Sequence, residues 1–252
     1  PLEDLCLSHP DCGYGLVGAR MYERVETAAV SISAAPTAAP GAALQAVLGA
    51  VEPVWRRLSS VAERKSQHLE GNIAEGVRTG WGLSRAATLA ALCQDRAVSS
   101  VVEIGFNAGH SAALMLAADP SIHVTAIDVG EHAYVEPCYE LLQDAFPERI
   151  DLIILDSQRL SKYIYRFPEK RFDMVHVDGC HLRHLPVNDL MYSFFLARDG
   201  AVVVADDYLD SISWGRNVMS AWQYMVGNRY FEPVDRCTSP KKGQAVAIVR
   251  KP

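Results

Sequence analysis

The stretch FDMVHVDGCH, residues 172–181, ends an apolar, β-branched run on a carboxylate, a glycine, a thiol and an imidazole. Asp178 can hold a cation or a substrate group. His181, three residues on, brings an imidazole, a side-chain type suited to take a proton as a general base. A second apolar run, GAVVVADDY, closes on Asp206-Asp207. If these runs are parallel strands of one sheet, Asp178, Asp206 and Asp207 converge on one edge. Crowded like charges are costly unless they are protonated or neutralised. A hard divalent cation such as Mg²⁺ is the expected partner of such acids, because it prefers carboxylate oxygens. His181 and His184 lie near Cys180, but no second Cys or His pair has zinc-ligand spacing.

A second constellation lies upstream, in VEIGFNAGHS, residues 102–111. Gly105 and Gly109 allow a sharp turn and a close backbone approach to a ligand before a helix begins. The next apolar run ends on Asp128, about 20 residues on, where a carboxylate can accept from a ribose diol. The third run is followed by Asp156-Ser157. A plain strand-to-helix turn would explain the glycines alone, but not acids at the ends of the following strands. The spacing Glu103-x-Gly105-x-x-x-Gly109 is looser than the three-glycine turn that a pyrophosphate favours.

The elements that must position these groups can be read from periodicity. From residue 97 onward, SVVEIG, IHVTAID, IDLIILD, FDMVHVD and GAVVVADD alternate with stretches able to form helices: GHSAALMLAAD, YVEPCYELLQDAF, SKYIYRF and VNDLMYSFFLA. Strands apolar on both faces and separated by helices predict a parallel sheet with helices on both sides. YFEPVDRCT and GQAVAIVRK are joined only by SPKKG, too short for a crossover, so they should pair antiparallel. The predicted fold is α/β: a Rossmann-like seven-stranded sheet, mostly parallel, with an antiparallel C-terminal hairpin and an N-terminal helical extension. Within that extension, residues 1–43 read as an N-terminal segment with an Ala/Pro-rich linker. Residues 44–96 read as a helical cap or lid in which Pro53 starts a second helix. EGNIAEGVRTGWGLS reads as a loop, whose Glu75, Thr79, Trp81 and Ser84 would close over the ligand. Residues 97–252 form the ligand-binding domain.

Glu103-Ile-Gly105-Phe106-Asn107-Ala108-Gly109, followed by Asp128, resembles the first two motifs of the class I S-adenosylmethionine (SAM)-dependent methyltransferases. The resemblance extends over residues 97–252. It implies that Glu103, Gly105, Asn107 and Gly109 line the methionine end of SAM, that Asp128 holds the ribose, and that Asp156 and Ser157 lie at the adenine. Asp178 would border both cofactor and metal. The acids and VDGCH are similar to metal-dependent small-molecule O-methyltransferases, of the catechol and caffeoyl type and of the macrolide-sugar and antibiotic-tailoring type. In that comparison His181 falls where catechol-type enzymes carry a lysine base. Cys180 departs from the carboxylate of some sugar methyltransferases, and Asp207 stands where Asn is common. In this family the segment after the acids walls the acceptor pocket, which makes Tyr208 and Trp214 candidates there; Trp222 and Met225 have the spacing of core residues.

The expected activity is therefore SAM-dependent methyl transfer to a hydroxyl of a small molecule (natural-product, sugar or phenolic type), assisted by a divalent metal. Two alternatives stay open: a metal-independent N- or O-methyltransferase, and a non-catalytic SAM-binding module. A nicotinamide-dependent reductase fits the looser glycine spacing poorly. A net charge of −6 argues against nucleic acid or an anionic membrane as the main partner. No apolar run reaches the ~20 residues of a membrane span, and no basic stretch followed by an apolar core marks a secretory signal. The six cysteines form no CxxC pair, so reduced thiols and a cytoplasmic location are expected, with homo-oligomerisation compatible with this reading.

Overall fold

The computed structural model describes residues 41–65, 72–80, 82–95, 97–164, 167, 172–238 and 242–251. The expected linker therefore lies almost wholly outside the described residues, as do Cys6, Cys12 and Trp81. Helix α1 (Ala42–Lys65) leads to α2 (Ile73–Thr79) and α3 (Leu83–Cys93). Then β1 (Ser100–Ile104), α4 (His110–Ala118), β2 (His123–Asp128), α5 (Val135–Ala145) and β3 (Ile150–Ile154) alternate. After a short 3-10 helix over Ser157–Lys162 come β4 (Phe172–Val177), α6 (Leu185–Leu196), β5 (Ala197–Asp206) and α7 (Ser213–Gly227). Strands β6 (Phe231–Thr238) and β7 (Gly243–Val249) follow.

The strands form one seven-stranded sheet in the order β3-β2-β1-β4-β5-β7-β6. β1 through β5 run parallel, and β7 lies antiparallel to both β5 and β6. This is the predicted architecture. Strand alternation divides the core into two layers. Val101 of β1 and Met174 of β4 face α1, α3, α4 and α5; Val102 and Val175 face α6 and α7. Helix α4 is buried nearly all round, because it lies between the sheet and α1.

Two expectations upstream of β1 are corrected. Pro53 lies inside a single continuous α1 rather than opening a second helix. Proline removes one intrahelical hydrogen bond and crowds the carbonyl four residues back. Here both Pro53 and Gly49, the residue at that position, are exposed, so the freed carbonyl can reach water. The buried stripe Val47, Val51, Trp55, Leu58 and Ala62 runs unbroken on the opposite side and holds the helix against the core. The segment read as a loop contains α2. Asn72 caps it by accepting from the Glu75 amide at 3.0 Å, and Gly80, at φ 83°, stops it. Gly82 then passes the α2 backbone so closely that a Cβ would lie 2.7 Å from Gly76 Cα. These glycines serve close packing as well as chain reversal. In the segment SKYIYRF, residues 161 and 162 end the 3-10 helix rather than belonging to an α-helix, and residues 165 and 166 lie outside the described residues.

Candidate active site at the carboxyl edge of the sheet

The chain leaves β1 toward β2 on one side and later returns to β4 on the other, so the direction reverses between β1 and β4. Such switch points open a crevice at the carboxyl ends of the strands. Gly105 and Asp178 meet there. A Cβ on Gly105, whose φ is 97°, would lie 2.1 Å from the Asp178 carbonyl oxygen, so only glycine fits. The Asp178 amide donates to Ile104 O at 2.8 Å, tying the two loops together.

The glycine loop is held from the β2 side. Asp128 Oδ2 accepts from the Asn107 amide at 2.8 Å, and its Oδ1 accepts from the Gly130 amide at 2.8 Å. Asn107 is exposed with φ 52°, and its Oδ1 accepts from the Tyr134 hydroxyl at 2.6 Å. Burial, with the Asp128 charge nearby, pushes that phenol up to about 12, so it stays a donor. A carboxylate oxygen has lone pairs beyond one hydrogen bond, and Asp128 retains acceptor capacity toward the crevice. Asp156 caps the 3-10 helix by accepting from the Gln158 amide at 3.0 Å, with Ser157 following. Val129 and Ile154 expose apolar side chains beside these acids, at 49% and 48%.

Glu103 needs correction. It is 1% exposed and lies beneath the loop on the α1 side, not on the open edge. Its Oε1 sits 3.0 Å from His176 Nδ1, and burial raises its pKa against the lowering effect of that histidine. His176 is the paired core histidine that its place inside a strand implies. His110, at the start of α4, is also interior. Its Nε2 lies 3.0 Å from Ser59 Oγ, its carbonyl accepts from Trp55 Nε1 at 2.8 Å, and burial drives its pKa down to about 4. Helix α1 is thereby stapled to the start of α4.

On the β4–β5 side, Asp178, His181 and Asp207 gather, with one ligand atom from each lying within 4.8 Å of the others. His181 Nε2 is 3.7 Å from Asp178 Oδ1, and its Nδ1 is 3.3 Å from Asp207 Oδ2. The Asn217 amide donates to His181 O at 2.9 Å, and Trp214 stacks on the imidazole at 5.6 Å. Asp206 does not join this group. Alternation along β5 turns it to the opposite face, where it forms a buried ion pair with Arg85 of α3. The expected meeting of three carboxylates is therefore a meeting of two with an imidazole. Trp214 belongs to the first turn of α7, at the site. Tyr208 packs inward against Trp222 at 6.2 Å and is only 9% exposed, so it does not wall the crevice.

Several residues of this region carry no motif. Lys242, in the turn before β7, places Nζ 2.5 Å from Asp207 Oδ1 and 5.2 Å from the Trp214 ring centre. Register explains its arrival: Asp206 pairs with Gln244, so the residue two before Gln244 lies over the end of β5. Asp189 of α6 is buried under Gly179, where an added Cβ would lie 2.6 Å from its Oδ2. Burial pushes Asp189 up to about 6, against a hydrogen bond with Ser157. It was legible in principle, as an acid within the buried stripe Pro186, Leu190, Ser193 of one helix.

Residues 102–208 match a family model described as a methyltransferase domain. The fold is similar to that of Rv0187 from MTB, solved with cofactor bound, at a TM-score of 0.63 and 16% identity over 79% of this chain and 91% of that one. It is similar to an O-methyltransferase from Bacillus cereus in complex with SAH, at 0.59 and 13% over 89% and 99%. TomG from Streptomyces achromogenes, an O-methyltransferase involved in tomaymycin synthesis and solved with SAM, gives 0.58 and 17% over 94% and 100%. No curated protein gives a significant sequence match. Residues 102–208 are thus similar to a methyltransferase domain, and the fold is that of the class I SAM-dependent methyltransferases that the glycine loop and strand-end acids resemble.

Proposed function

We propose that this protein transfers the methyl group of SAM to a hydroxyl of a small molecule of natural-product, sugar or phenolic type. The observation that supports this most is the convergence, at one switch point, of a glycine loop tied to Asp128 with the Asp178–His181–Asp207 cluster. Gly105, Asn107 and Gly109 would face the methionine end, Asp128 the ribose, and Asp156 with Ser157 the adenine between Val129 and Ile154. Glu103 would support that loop from below.

Methyl transfer is an in-line displacement, so the acceptor oxygen must lose its proton and be held on the far side of the methyl carbon. Asp207 lies beside His181 Nδ1 and can accept its proton, which fixes the tautomer and leaves Nε2 with a lone pair. Among the described residues Nε2 has no hydrogen-bond partner; it is enclosed 3.7 Å from Asp178 Oδ1, and would take the hydroxyl proton of an acceptor seated between them. Trp214 would form one wall for the acceptor. The base role of Nε2 belongs to the metal-free state; where a divalent ion binds, the same nitrogen would instead join Asp178 and Asp207 as a third donor, and a mixed oxygen and nitrogen set suits Mn²⁺ or a later first-row ion better than Mg²⁺. When bound, such an ion would lower the pKa of the acceptor hydroxyl and fix two of its oxygens.

A screen of hydroxylated acceptors with methyl-labelled SAM, run with EDTA and then with added Mg²⁺ or Mn²⁺, tests both parts. Labelled product with metal and little in chelator is expected. Full turnover in EDTA would sink the metal assignment, and absence of S-adenosylhomocysteine (SAH) with every acceptor would sink the transferase. Asp178→Ala should abolish turnover while SAM affinity stays within a few-fold. An equal loss of SAM binding would reassign Asp178 to the cofactor site.

A further inference from the structure

Lys242 reaches the acid cluster from the β6–β7 turn, far in sequence from every motif around it. The Asp207 side chain is only 4% exposed, so water does little to balance its charge. A carboxylate in such a place needs a paired cation. One oxygen, Oδ2, faces the His181 ring; the other, Oδ1, is held by the Lys242 ammonium at 2.5 Å. Lys242 is itself largely enclosed, with 16% of its side chain exposed, and lies over the Trp214 ring. The neighbouring Asp206 adds no negative charge to the cluster, because Arg85 already offsets it.

We propose that Lys242 is the resident counter-cation of this edge, holding Asp207 where a divalent ion would otherwise sit, so that a divalent ion enters only by displacing the ammonium. This rests on the reading of Asp178, His181 and Asp207 as a group able to hold a metal. An ammonium and a divalent ion cannot both sit against one enclosed carboxylate without strong repulsion. The flexible four-carbon stem of lysine permits departure, and the Trp214 face offers the displaced ammonium a cation–π contact. Lysine here sets how readily the cluster accepts metal, a role separate from binding the metal itself.

Mn²⁺ titration of the full chain, followed by the EPR signal of free Mn²⁺ near neutral pH without SAM or acceptor, tests this directly. Lys242→Met should bind Mn²⁺ at least about tenfold more tightly than the wild type, since the competing unit charge is gone. Lys242→Arg keeps the charge and should stay within a few-fold of wild type. Asp207→Asn added to Lys242→Met should remove the gain. Lys242→Gln provides a second neutral variant should the Met protein fail to fold. Unchanged or weaker binding in the neutral variants, or an equal gain with Arg, would overturn the proposal. Because no methyl transfer is measured, turnover that persists in EDTA would leave this result standing.

Discussion

Asp189 shows how one buried side chain can trade stability for the shape of a site. Its carboxyl is enclosed between α6 and Gly179, and its pKa is raised from 3.8 to about 6, first by burial. A carboxyl whose folded pKa lies above the unfolded one stabilises fully below the unfolded value, and that share is lost as pH rises through about 6. At neutral pH the ionised Asp189 therefore opposes folding. Asp189→Asn should raise stability in urea unfolding above pH 6 by up to about 3 kcal/mol. Near pH 4 it should change little. A comparable loss at both pH values would mean that the carboxylate's contact with Ser157 outweighs the cost of burying it. Ser157 follows Asp156, and Gly179 follows Asp178, so Asp189 underlies both ends of the proposed site.

Among elements, α3 is bound to the sheet by a charge that its sequence does not advertise. Arg85 sits within LSRAATLAALC, where the neighbours Ala86, Leu89 and Leu92 are core residues, and it pairs with Asp206 out of contact with water. Arg85→Met should cost about 3–5 kcal/mol in chemical denaturation, because it strands a buried carboxylate. Adding Asp206→Leu should restore most of that loss, whereas a double variant no more stable than Arg85→Met would deny the coupling. The strands and most helices after residue 97 were legible, because apolar runs of five or six residues can only be buried strands when helical periods separate them. The helices before β1 were less so. Pro53 and the glycines of 76–82 read locally as breaks, and tertiary packing overrides them: the stripe through Trp55 continues past Pro53, and Gly76 and Gly82 pack on each other.

At the scale of the whole molecule, the sheet order decides which residues can meet. Asp128, Asp178 and His181 were legible as candidates because each stands at or just past the end of a recognisable strand. Asp206 and Asp207 were legible as a pair, but not which of them faces the edge: strand alternation sends one to Arg85 and leaves the other, at φ 58°, to His181 and Lys242. Lys242 had no local signal, since only the antiparallel pairing of β7 with β5 brings it there. No helix among the described residues is long and apolar enough to cross a membrane. In the proposed function the switch point between β1 and β4 binds SAM through a loop tied to Asp128. Calorimetric titration of SAH into the wild type and into Asp128→Ala tests it most directly. Saturable binding at a single site is expected in the wild type, with a loss of at least about tenfold in the folded variant, as removing charge-assisted hydrogen bonds to a ribose requires. Absence of binding in the wild type, or undiminished affinity in Asp128→Ala, would contradict it.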